Sequence, residues 1–217
     1  MNASDLRLHK AMLERYLTLP LTAVNFRRIF LKLTELHFSD EVNFGELKGD
    51  LAGCVWSPDP KTRKLFIGLQ HDYDPRVVTK ALPAVYFGFG NSNFEQEVVA
   101  NHAGHTEDYS GTDYTSSADS VLQWVHCARS VDLASALAET TFSFMNAIRS
   151  WMIKRLELRG LMISQMAMPK QERADEKGEI YYRVDLRGQL QYNHAITVRE
   201  HSLRLKKVES EHDIEAP

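Results

Sequence analysis

Residues 120–160 read SVLQWVHCARSVDLASALAETTFSFMNAIRSWMIKRLELRG, and this stretch sets the class of the fold. Ser120–Arg129 mixes Val, Leu, Trp and Cys with partial alternation, the pattern of a strand with one buried face. At Ser130 the period changes. Leu133, Leu137, Phe144, Ile148, Met152 and Leu156 recur at helical spacing, which predicts one long amphipathic helix reaching Arg159. Ser130 suits the N-cap, and Asp132 puts negative charge in the first turn, where the helix dipole favours it. Lys154, Arg155 and Arg159 suit the C-terminal end, with Gly160 as the expected stop. A helix this long with one apolar stripe must lie on a sheet or on another helix.

Working outward, Leu161–Met168 reads as a strand, followed by a charged turn from Gln171 to Gly178. Ile180–Leu186 and Leu190–Arg199 read as two further strands joined by a turn at Arg187-Gly188. Upstream, Ala84–Gly90 is rich in β-branched and aromatic residues and is punctuated by Pro83 and Asn91. Residues 91–119 form a long polar connection. Lys64–Leu69 is another strand, and a turn-rich segment follows it. Residues 39–63 carry Gly45, Gly49, Gly53, Pro58 and Pro60, which is loop chemistry around one short strand near Leu51–Trp56. Residues 4–38 read as two helices broken at Leu19-Pro20. The second is capped by Thr22 and carries Phe26, Ile29, Phe30, Leu33 and Leu36 on one stripe.

The expected class is therefore α/β in the α+β sense: a mixed or antiparallel sheet flanked by one long helix, with an N-terminal helical hairpin. Residues 1–63 form the hairpin and loop extension, 64–207 the α/β domain, and 208–217 a polar, flexible tail.

The 217 residues are 43% apolar and 25% charged with a net charge of −3, ordinary for a soluble globular protein and without a global basic field for nucleic acid. Cys54 and Cys127 lie far apart in apolar contexts, which reads as two free structural thiols and suits a reducing compartment. The N-terminus lacks a signal-peptide core. The apolar-leaning run 142–168 is interrupted by Arg149, Lys154, Arg155, Glu157 and Arg159, so no membrane span is expected.

The richest chemistry lies at residues 101–114, NHAGHTEDYSGTDY. His102 and His105 are three apart, with Asp108 and Asp113 following, so a metal-dependent hydrolase is one reading. No third His or Cys follows at ligand spacing, and Gly104 argues against a rigid helix, so a solvated interaction loop is the other. Gly88-Phe89-Gly90 lacks the third glycine of a dinucleotide loop, since position 93 is Asn93. His126 and Cys127 are strand neighbours and point to opposite faces, which disfavours a dyad. Tyr181-Tyr182-Arg183 with Arg187, and the basic end His201–Lys207, are possible contacts for nucleic acid or an acidic partner, against the plainer reading of alternating strand faces. No catalytic residue, cofactor or metal is assigned.

The opening Leu82–Gly88 strand, the Val121–Ala128 strand running into the helix Leu133–Leu158, the Tyr181–Leu186 strand and the last strand to Arg199 together resemble the tail-terminator or tail-completion neck proteins of tailed bacteriophages. The resemblance covers roughly Leu82 to Lys207 and rests on element order. It implies an α/β virion protein that forms a homo-oligomeric, hexameric ring. Its expected partners are the tail tube protein and a head-side connector or stopper, with DNA passing a lumen without sequence-specific binding and no membrane contact. A head-side stopper or adaptor role is the alternative within that setting. The expected contact residues sit in the two polar segments: His102, His105, Asp108, Tyr109, Asp113 and Tyr114 in the first, Glu172, Arg173 and Lys177 in the second.

Overall fold

The computed structural model describes residues 22–90, 93–95, 105–108, 111–174 and 178–198. The first of the two expected helices and the 208–217 tail lie outside them. Among the described residues the fold is α+β: an eight-stranded mixed sheet with two α-helices on one face.

Helix α1, Ala23–His37, starts where Thr22 accepts a hydrogen bond from the Asn25 amide at 3.3 Å. Its stripe of Phe26, Ile29, Phe30, Leu33 and Leu36 is buried, each such side chain contributing roughly 1.5–3 kcal/mol. Helix α2, Val131–Arg155, is capped by Ser130 with Asp132 in its first turn. It ends before the expected stop. Leu156 caps it, Glu157 adopts a left-handed φ of 50°, and Gly160 instead opens the next strand. The chain reverses because Leu156 and Leu158 must both be buried, which a continued helix would not allow.

The strands are β1 (Phe66–Leu69), β2 (Ala84–Phe89), β3 (Asn93–Glu95), β4 (His105–Asp108), β5 (Gly111–Ala128), β6 (Gly160–Met166), β7 (Lys170–Arg173) and β8 (Ile180–Val198). The main order is β1-β2-β5-β8-β6, with β3 and β4 also on β5 and β7 also on β8. Among the described strands only β1 and β2 run parallel.

β5 and β8 pair without a break from Thr112 opposite Val198 to Ala128 opposite Tyr182. That continuity corrects the expected turn at Arg187-Gly188: both residues lie inside β8, opposite Gln123 and Leu122. Gly188 is there for space, since a Cβ would come within 2.8 Å of Ile163 Cδ1 and of the Met162 carbonyl, beside the register shift in β6. The polar connection 91–119 likewise contains β3, β4 and the first half of β5: β4 pairs with the nearby start of β5, while β3 and β8 pair with β5 across longer separations. The strand expected near Leu51–Trp56 is a run of turns instead. Leu51 and Cys54 are apolar because they enter the core.

Even-numbered residues from Ala118 onward in β5 and up to Tyr192 in β8, including Leu122, Trp124, Leu186 and Leu190, face α1 and α2 in one core that also holds Phe38, Phe44 and Leu51. Odd-numbered ones face the other way. There Val125, Cys127 and Tyr181 join Val78, Ala84, Tyr86 and Ala174 in a smaller core under the segment 73–82. Elsewhere on that face Val121, Arg187, Gln189 and Gln191 are exposed and Gln123 is half-buried, as expected of an antiparallel sheet with one wet side.

Candidate functional site

The expected contact residues fall into two groups at opposite ends of the β5–β8 ribbon. In the first, His105 lies opposite Tyr114, Thr106 opposite Asp113, and Asp108 opposite Gly111. β8 flanks β5 on its other side, with Ile196 opposite Tyr114 and Thr197 opposite Asp113. A three-stranded ladder therefore carries His105, Asp108, Asp113 and Tyr114, where the sequence suggested a loop. His102 and Tyr109 lie outside the described residues. Among those described, no group of three or more His, Cys, Asp or Glu is placed to hold a metal ion.

In the second group, Glu172 and Arg173 are on β7, opposite Tyr181 and Ile180, while Lys177 lies outside the described residues. Glu172 is not at a solvated hairpin tip. Its carboxylate accepts hydrogen bonds from the Tyr73 hydroxyl at 2.9 Å and from the Tyr181 hydroxyl, and the two hydroxyls are 2.7 Å apart. Arg183 lies 3.6 Å from the same carboxylate and grips Asp185 with two bonds, 2.7 Å from Nε and 3.1 Å from NH2. Its guanidinium also sits 5.2 Å from the Tyr73 ring centre, a cation–π arrangement.

The electrostatics follow from burial and these contacts. Burial pushes the Tyr73 hydroxyl up to about 12; the Tyr181 bond opposes this and the Glu172 carboxylate adds to it. Tyr181 is raised by burial first and then by Glu172 and Tyr73. For Arg183 burial acts downward, but the bonds to Asp185 outweigh it and hold the guanidinium above its ordinary value. Both tyrosines stay neutral at pH 7 and donate to an acceptor already in place. The network ties the segment around Tyr73 to β7 and β8, and its groups are engaged with one another.

These residues were only half legible in sequence. Tyr181-Tyr182-Arg183 suggested a stacking platform, but strand parity separates them, sending Tyr181 and Arg183 into the network and Tyr182 to the helix-covered core. The usable signal was the i, i+2, i+4 series Tyr181, Arg183, Asp185 on one strand face. Tyr73 carries no such mark.

His126 and Cys127 occupy opposite faces, as expected of strand neighbours. The His126 ring is fully buried, with Nδ1 3.2 Å from the Val184 carbonyl and Nε2 3.0 Å from the Thr141 hydroxyl. Burial lowers its pKa to about 4, against smaller upward pulls from Val184 and Asp185, so the ring is neutral at pH 7. Both cysteines are free and buried. Burial pushes the Cys127 thiol up to about 12, with Arg183 pulling down and Glu172 and Asp185 pushing up. Burial and then Glu41 raise Cys54. Neither thiol has the lowered pKa of a reactive cysteine.

No protein-family model matches this chain, and no curated protein matches it. Among the described residues no helix is long and apolar enough to cross a membrane.

Proposed function

We propose that this protein is a structural subunit of a tailed-phage neck, a tail terminator whose copies join in a homo-oligomeric ring that caps the tail tube and meets the head. The observation that supports the reading best is the continuous β5–β8 ribbon. Its two ends carry the two segments expected to make contacts. Tyr182, opposite Gln171, and Ile196, opposite Tyr114, are 14 residues apart on β8, roughly 45 Å at the rise of a strand. A head-to-tail ring needs two different, well-separated patches on each subunit, whereas a two-fold dimer needs one.

The element order from Leu82 onward supports the same reading, as does the weak net charge of −3, which leaves no strong trap for DNA phosphates in a lumen. The test is to purify the protein, measure its mass in solution, and image it by negative stain with and without tail tubes. Rings at tube ends are the expected result. A monomer that never decorates tube ends overturns the proposal.

A further inference from the structure

A cleft of about 320 Å³ opens where the parallel strands β1 and β2 end, under the first half of α1. Its walls divide by chemistry. Leu69, Phe87 and Phe89 supply apolar surface, and Arg27 and His71 supply cationic or hydrogen-bond-donating groups. Behind the cleft, on the other face of β2, a Cβ on Gly88 would lie 1.8 Å from Gln70 Oε1, so only glycine lets the Gln70 side chain lie against the sheet there, where its amide bonds to Gln123 at 3.1 Å and fixes the end of β1 beside β2. Asp72, the nearest acid in sequence, is occupied: its carboxylate accepts from the Leu69 amide at 3.1 Å and pairs with His71 at 3.2 Å. Arg27 forms no ion pair among the described residues, so within them the cleft sets a guanidinium beside apolar walls without a carboxylate.

We infer that this cleft binds a carboxylate next to an apolar group, supplied by an acidic–apolar pair of side chains on a peptide segment of a partner protein. Arg27 takes the carboxylate through charge-assisted hydrogen bonds, and the Leu69–Phe87–Phe89 wall takes the apolar neighbour. The cleft volume is at the lower end for ligand sites. It fits two side chains rather than a folded element, and because it is open to solvent it suits an anchor on a longer segment better than a free molecule needing enclosure. The inference does not depend on the neck assignment: a chain that never met a tail tube would leave it intact.

The test is amide NMR titration of the full chain at pH 7 with N-acetyl-Glu-Phe-amide, N-acetyl-Gln-Phe-amide and phenylacetate. Saturable shifts at Leu69, Gln70 and Gly88 with the Glu peptide are expected. Affinity should be about tenfold or more weaker for the Gln peptide, and equally so for the Glu peptide on Arg27→Gln, as loss of a charged hydrogen bond implies. His71→Gln, at an exposed rim position, should weaken binding less and guards against misfolding of the first variant. Equal binding of the Glu and Gln peptides overturns the inference, as does no saturable shift or an unchanged Arg27→Gln. Binding of phenylacetate without either peptide overturns the peptide assignment.

Discussion

At the scale of single residues, the buried polar side chains set how the fold responds to pH. His126 is neutral in the native state because burial lowers its pKa to about 4, whereas in the unfolded chain it titrates near 6.5. Between those values the unfolded state binds a proton that the native state refuses, so stability is whole above about 6.5 and falls as pH drops toward 4. The loss is on the order of 3 kcal/mol. Urea unfolding of the wild type and His126→Gln across pH 4–7 should show a much flatter acid limb in the variant; parallel limbs would show that His126 is not the group responsible. Tyr73 gives the opposite sign. Its neutral form is favoured in the fold, with a pKa of about 12, so stability is lost as pH rises from about 10, where the unfolded phenol ionises. Tyr73→Phe should reduce the alkaline loss, and absorbance titration at 295 nm should show one fewer late-ionising tyrosine.

At the scale of elements, Gly188 distinguishes a strand from a turn. In a turn an alanine there would be tolerated. Inside β8 its Cβ meets Ile163 Cδ1 and the Met162 carbonyl, both at 2.8 Å, and a backbone oxygen cannot move aside without disturbing β6. Gly188→Ala should therefore cost about 1–3 kcal/mol in urea unfolding. Gly49→Ala is the control, because nothing lies within 4 Å of a Cβ at that position and its φ of −66° suits alanine; it should leave stability nearly unchanged or slightly raised.

The same contrast explains what the sequence could reveal. Both described helices were legible to the residue at their N-termini, because Thr22 and Ser130 act locally and the apolar period repeats within the element. The first half of β5, GTDYTSSA, offered no apolar alternation to read. Its pairing with β8 reaches residues 74 or more positions away, and no local pattern encodes that. The Glu172 network was hidden for the same reason, since Tyr73 reaches it across 99 residues.

At the scale of the whole molecule, the β5–β8 ribbon joins the shared core to the strands β3 and β4. From Ala118 to Ala128 on β5 and from Tyr182 to Tyr192 on β8, its helix-facing row packs into the core shared with α1 and α2. From Thr112 to Ser117, paired with Asn193 to Val198, it continues beside β3 and β4. Amides in the first part are held by the global fold and should exchange with solvent only through full unfolding, whereas those in the second can open with the end of the ribbon. Hydrogen exchange on the free chain should thus show slow amides at Leu122–Cys127 and faster ones at 112–117. If the ribbon end is a contact in a neck ring, protection at 112–117 and 193–198 should rise by about tenfold or more when tail tubes are added, since binding that selects the closed ladder stabilises it by mass action. The Leu122–Cys127 amides report on global stability in the same experiment. A rise there without one at 112–117 would mean that tubes bind elsewhere on the subunit, and the contact would then have to be sought at the β7 end of the ribbon.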